Sequence, residues 1–151
     1  MSDPSLLEVE NLCLEFDTQD GTFDALNDIS FAIDTGEILG VVGESGAGKS
    51  VLGRTILGLI ADNGRITAGE IRFNGTDLVE MSTEEFRRIR GNDISIIFQN
   101  AAEALNPTLT IGRQIKRVIR WNTETELSDE ELENRAIEIL SRPGFPPPGT
   151  G

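Results

Sequence analysis

The chain has little cysteine, little lysine, no long apolar run and no histidine. Only one cysteine occurs among its 151 residues, so an internal disulfide is excluded and a reducing cytoplasm fits. That residue, Cys13, lies in an alternating stretch, where a small buried hydrophobe is expected rather than a reactive thiol. No apolar run approaches the roughly eighteen residues of a membrane span, and the N-terminus lacks a basic-then-apolar signal segment. Positive charge is scarce. Lys49 and Lys116 are the only lysines, and 13 Lys and Arg stand against 26 Asp and Glu, a net charge of −13. Phosphate contacts need clustered Lys and Arg, so this balance argues against nucleic acid as the main partner. It describes a well-solvated acidic surface and is compatible with a saline habitat. What remains is the composition of a soluble globular domain of modest size, 38% hydrophobic and 26% charged.

Against that background one stretch stands out. Gly43-Glu44-Ser45-Gly46-Ala47-Gly48-Lys49-Ser50 fits G-x-x-x-x-G-K-[ST], the phosphate loop (Walker A) of nucleotide triphosphatases. Glycines let the backbone bend tightly and bring its N–H groups to phosphate oxygens. The helix that follows aims a partly positive N-terminus at the same anion. Lys49 is expected to reach the β- and γ-phosphates and the Ser50 hydroxyl to ligate Mg²⁺. With Val51 at the start of the helix, residues 43 to 51 form the candidate nucleotide site. The context also fits. Glu37 to Val42 is a short apolar run of the kind that makes a buried parallel strand. Val51, Leu52, Thr55, Ile56, Leu57, Leu59 and Ile60 recur at helical spacing.

Elsewhere, Leu7 to Phe16 alternates as a strand with a polar face, interrupted near Asn11. Asp20-Gly21 is a hairpin signal, and Leu26 to Ile33 predicts a second strand. Asn63-Gly64 breaks the chain after the loop helix, and Gly69 to Gly75 predicts an edge strand and turn. Ser82-Thr83-Glu84-Glu85 has the spacing of a capping box and opens a helix to about Arg90. Ile94 to Phe98 predicts a second buried strand, ending at Gln99. Thr110 to Trp121 and Ser128 to Leu140 predict amphipathic helices, the latter with a capping box at Ser128 and Glu131. The Pro-rich stretch from Pro143 cannot continue a helix and is expected to be a disordered tail over 143–151. Strands and helices alternating around a phosphate loop give an α/β class with antiparallel edge strands.

Taken together, these residues resemble the ATP-binding subunits of ABC transporters, most closely the oligopeptide, dipeptide and nickel importer branch. The resemblance is carried by Ala25 to Phe31, Thr35-Gly36-Glu37, the Gly-Glu-Ser-Gly form of the loop, Arg90 to Gln99, and Leu105-Asn106-Pro107. It runs from about Leu7 to Gly144. It implies an ATP and Mg²⁺ site in which Gln99 is the Q-loop glutamine, a second metal contact beside Ser50. An amide carbonyl can serve that purpose. It implies residues 1–100 as the N-terminal part of the ATP-binding core and 101–142 as the start of a helical subdomain. That subdomain would dock on the transporter's membrane subunits. Further partners implied are a second ATP-binding subunit and an extracytoplasmic solute-binding protein, with the chain peripheral on the inner face of the membrane.

The chain also departs from the family. No aromatic stands near Asp20, where the family stacks the adenine; Phe23 or Phe16 is the substitute. Asn100-Ala101 follows Gln99 where the branch has an acidic residue and proline. No Leu-Ser-Gly-Gly signature is present, no apolar run ends in Asp-Glu, and the switch histidine is absent. The expectation is therefore the N-terminal part of an ABC ATPase, with the cradle but not the water-orienting carboxylate, and no catalytic residue is assigned. Two alternatives are a nucleotide-binding or interaction module that does not hydrolyse, and a different phosphate-loop NTPase such as a kinase. The Gln99 and Leu-Asn-Pro spacing opposes the second. An apolar strand edge beside the loop would be left open, which predicts association and marginal stability.

Overall fold

Alternation in the first thirty residues makes a long hairpin, β1 (Leu7–Thr18) and β2 (Gly21–Ile33). Its strands pair antiparallel, from Leu7 opposite Ile33 to Phe16 opposite Phe23. The expected interruption lies at Asn11, which has a φ of 47° at a register shift. Its backbone N–H donates to Ser30 Oγ at 2.8 Å, and its side-chain amide donates to Asp28 Oδ1 at 2.8 Å. Strand β3 (Gly64–Phe73) flanks β1 on the other side, and the two-residue β4 (Thr76–Asp77) completes an antiparallel sheet of order β2-β1-β3-β4. The strand expected at Gly69 starts five residues earlier and lies inside the sheet. Gly64 already pairs with Phe16, and Arg65 is drawn to Glu15 and Asp17 at 2.7 and 2.9 Å.

This computed structural model describes residues 5–99, 105–123 and 125–142. The first four residues, Asn100, Ala101 and the stretch from Pro143 onward lie outside the described residues. The chain forms two compact units, Met1–Ile96 and Ile97–Gly151. In the first, helices α1 (Lys49–Ile56) and α2 (Thr83–Ile89) add Leu52 and Phe86 to a core of Val9, Leu12, Leu14, Leu26, Ile71 and Leu78. Val9, Leu12, Leu14 and Ile71 are essentially inaccessible, so truncating any one to alanine would cost about 2–5 kcal/mol. Cys13 sits half-buried, its sulfur accepting the Asp28 N–H.

Two sequence expectations fail here. Neither Glu37 to Val42 nor Ile94 to Phe98 forms a strand. Ile38 and Val42 are 95% and 97% exposed, and Ile97 is 93% exposed. A parallel strand exists only through its neighbours, which supply ladder bonds on both sides and helices on both faces. Among the described residues nothing pairs with either run beyond one isolated parallel bridge, Arg90 to Ile94. Neither run belongs to the sheet. Helix α1 is also shorter than its apolar spacing, ending at Ile56 rather than near Ile60.

The second unit is a helical hairpin, α3 (Ile111–Trp121) and α4 (Asp129–Ser141). Its core is small: Ile119, Leu132 and Ala136, with Ile115 and Leu127 against them. Lys116–Glu133 and Arg120–Asp129 pairs join the helices at the surface. The Leu105-Asn106-Pro107 stretch has a local role. Asn106 Oδ1 accepts from the Thr108 N–H at 2.9 Å, and Gln114 of α3 bonds both the N–H and the carbonyl of Asn106. These bonds fix the entry to α3.

Candidate functional site: the phosphate loop

A helix begins with N–H groups that lack intrahelical partners, and something must meet them. In α2 and α4 a serine does so. Ser82 and Ser128 each accept from the N–H three residues on, while Glu85 and Glu131 accept the serine N–H in return. Helix α1 is different. Its N-cap is Gly48, no side chain caps its first turn, and no acidic residue lies there. In a chain of net charge −13, the start of α1 is thus left positive and open among the described helices. That is the arrangement an anion requires.

The loop leading to it is exposed over Gly43 to Ala47, with Gly48 and Lys49 half-buried and Ser50 exposed. Gly46 and Gly48 have φ of 88° and 82°. Gly48 is further constrained, because a Cβ there would stand 2.7 Å from the Ala25 carbonyl oxygen on β2. Only glycine meets both conditions. The Lys49 ammonium folds back over the loop and donates to the Gly43 and Glu44 carbonyls at 2.7 and 2.6 Å. Its charge is therefore held against the loop backbone. An apolar cavity of about 410 Å³ adjoins the loop, lined by Leu26, Leu39, Val41, Val42 and Lys49 among others. Its lining suits hydrocarbon rather than phosphate, so the polar site is the loop itself.

The sequence-derived site residues fall into two groups. Gly43 through Val51 lie together in the first unit. Gln99 is an exposed residue in a bend of the second unit. Of the two aromatics considered for the base, Phe16 packs against the sheet core while Phe23 is 58% exposed on β2. Among the described residues no three His, Cys, Asp or Glu side chains cluster to hold a metal. The Ser50 hydroxyl at the helix start is the available oxygen. No helix of the described residues is long and apolar enough to cross a membrane.

Sequence reasoning missed two features. Arg113, Lys116, Arg117 and Arg120 form a basic stripe along α3, at the i, i+3, i+4, i+7 positions of one face. The spacing was readable, but the helix was read from its apolar residues alone. The other is Arg90, whose bonds to Leu57 and Gly58, more than thirty positions earlier, no local pattern announces.

Comparison with known proteins agrees with this architecture. A family described as ABC transporter matches residues 26–146. The chain is 40% identical over 146 residues to the dipeptide transport ATP-binding protein DppD of Lactococcus lactis subsp. cremoris (strain MG1363), covering 97% of this chain and 42% of that protein. It is 42% identical over 144 residues to the oligopeptide transport ATP-binding protein OppD of Bacillus subtilis (strain 168), covering 95% and 40%. It thus spans about two fifths of the length of these relatives. Among solved structures, the dimeric structure of MJ0796, a bacterial ABC transporter cassette, superposes with a TM-score of 0.75 at 25% identity. That match covers 89% of this chain and 55% of the other. A post-hydrolysis state of the same cassette, bound to ADP and Pi, gives 0.72 at 24% identity.

Proposed function

Since the chain belongs to the ABC transporter family, we propose that it cradles the triphosphate of ATP and serves an importer of peptides or a related small solute. The observation that carries this reading is the uncapped start of α1 with Lys49 folded over the loop carbonyls. Backbone N–H groups from Gly46 to Ser50 and the Lys49 ammonium hold the β- and γ-phosphate charge. The Ser50 hydroxyl would hold Mg²⁺, which when bound neutralises charge on the phosphates. Phe23, the exposed aromatic of β2, is the platform for the base.

The peptide assignment rests on the relatives, which are dipeptide and oligopeptide transport ATP-binding proteins. The partners proposed are membrane subunits, a second ATP-binding subunit and a solute-binding protein, with the chain at the inner face of the membrane. The basic stripe of α3 and the exposed Trp121, stacked 4.7 Å from Arg117, favour the helical hairpin as the docking element.

ATP turnover by the purified chain with Mg²⁺ tests how far the function extends. Phosphate release abolished in Ser50→Ala supports a working metal site. Binding without release would fit a nucleotide cradle that lacks the water-orienting carboxylate, and no binding at all would contradict the reading.

A further inference from the structure

The guanidinium of Arg90 has no carboxylate beside it among the described residues. It is half-buried just after α2, with the Phe86 ring 4.9 Å from its carbon. Its Nε donates to the Leu57 carbonyl at 2.7 Å, and an Nη donates to the Gly58 carbonyl at 2.8 Å. These carbonyls belong to the C-cap of α1, Leu57, and to the residue after it. There the chain closes with the Leu59 N–H on the Arg54 carbonyl at 2.8 Å and the Gly58 N–H on that of Thr55 at 2.9 Å. Gly58 has the left-handed φ, 59°, of such a closure. Those bonds occupy the carbonyls of residues 54 and 55, and Arg90 takes those of Leu57 and Gly58. The end of a helix carries partial negative charge, so the countercharge of Arg90 is α1 itself. The fit is close. A Cβ on Gly58 would stand 3.0 Å from both the guanidinium and the Phe86 ring.

The segment after Arg90 is fastened to the same helix. The Gly91 N–H bonds the Ile94 carbonyl at 2.9 Å, which turns the chain. Ile96 then reaches within 3.8 Å of where a Cβ on Gly53 would be. Residues 90–96 thus hold α1 at its last turn and at its middle. The helix has eight residues, so its held end lies about 12 Å from the phosphate loop. Among the described residues no side chain caps its other end.

We propose that Arg90 is a positioning residue for the phosphate loop. By gripping the C-terminal end of α1, it fixes the direction in which the helix start, Lys49 and Ser50 face a bound phosphate. The proposal rests on the nucleotide-binding reading above. A merely structural arginine would alter stability and leave the affinity of the folded chain unchanged.

The test compares Arg90→Ala and Arg90→Lys with Ser82→Ala, which loses a helix cap in the same unit without touching α1. Affinity for a fluorescent methylanthraniloyl-ATP with Mg²⁺ is read by anisotropy below the melting temperature of each variant. Arg90→Ala is expected to bind about tenfold more weakly, the scale of losing charge-assisted hydrogen bonds. Added methylguanidinium should restore part of that loss. Arg90→Lys should remain weak, because one ammonium lacks the planar fork that meets both carbonyls. Ser82→Ala should bind like the parent chain. Amide hydrogen exchange over residues 49–56 should quicken in both Arg90 variants and not in Ser82→Ala. Parent-like affinity in folded Arg90→Ala, or an equal loss in Ser82→Ala, overturns the proposal. If the parent chain binds no nucleotide, the nucleotide-binding reading falls by itself. Exchange then decides the grip on α1, and unchanged exchange in the Arg90 variants overturns it.

Discussion

Gly48 carries three duties at one position. It is the N-cap of α1, it takes a φ of 82°, and it lets the Ala25 carbonyl come within 2.7 Å of where a Cβ would be. Gly48→Ala meets the left-handed penalty of roughly 1–2 kcal/mol for a residue with a Cβ, and adds a backbone clash. The expected result is a lower urea midpoint together with lost nucleotide affinity; a parent-like midpoint would contradict this packing. At this scale the sequence was highly legible. The loop pattern encodes backbone bends and one lysine, all within eight successive residues. Arg90 was not legible, because its meaning depends on carbonyls brought to it by the fold.

Among the elements, caps decide where helices start. Ser82 with Glu85 and Ser128 with Glu131 form the two reciprocal boxes that their spacing announces. Ser82→Ala and Ser128→Ala should each cost about 1 kcal/mol. Both glutamates are held below the usual carboxylate range, chiefly by hydrogen bonds from the serine hydroxyl and then from the serine backbone. A carboxylate with a lowered folded-state pKa adds stability above its unfolded value. That contribution is lost as pH falls through the folded value. Acidification should therefore weaken both helices, and Glu85→Gln with Glu131→Gln should flatten the acid limb of the urea midpoint against pH. An unchanged limb would count against the boxes. Strands were less legible than caps. Leu7 to Phe16 alternates, and its partners lie within the chain, so its pairing followed. Glu37 to Val42 and Ile94 to Phe98 have the apolar character of buried strands. Composition reports the wish to be buried, though, and not whether a neighbour is present to pair with.

For the whole molecule, the consequence is exposed apolar surface on an acidic body. Ile38, Val42 and Ile97 are nearly fully exposed, and net charge is −13. The apolar runs favour association, while the charge opposes compaction through self-repulsion screened over about 10 Å at 0.1 M salt. Raising salt should lift the melting temperature and increase the sedimentation coefficient together. Ile38→Glu with Val42→Glu should suppress the second effect while leaving the antiparallel sheet intact. A salt-independent monomer with a sharp, high-temperature transition would contradict this.

The central claim is that the open start of α1 and Lys49 form a triphosphate cradle. Calorimetric titration of ATP with Mg²⁺ into the parent chain and into Lys49→Ala tests it most directly. The account predicts one site in the parent and a loss of about tenfold or more in Lys49→Ala, the worth of a charge-assisted contact. Equal binding by the two, or none by the parent, would contradict it.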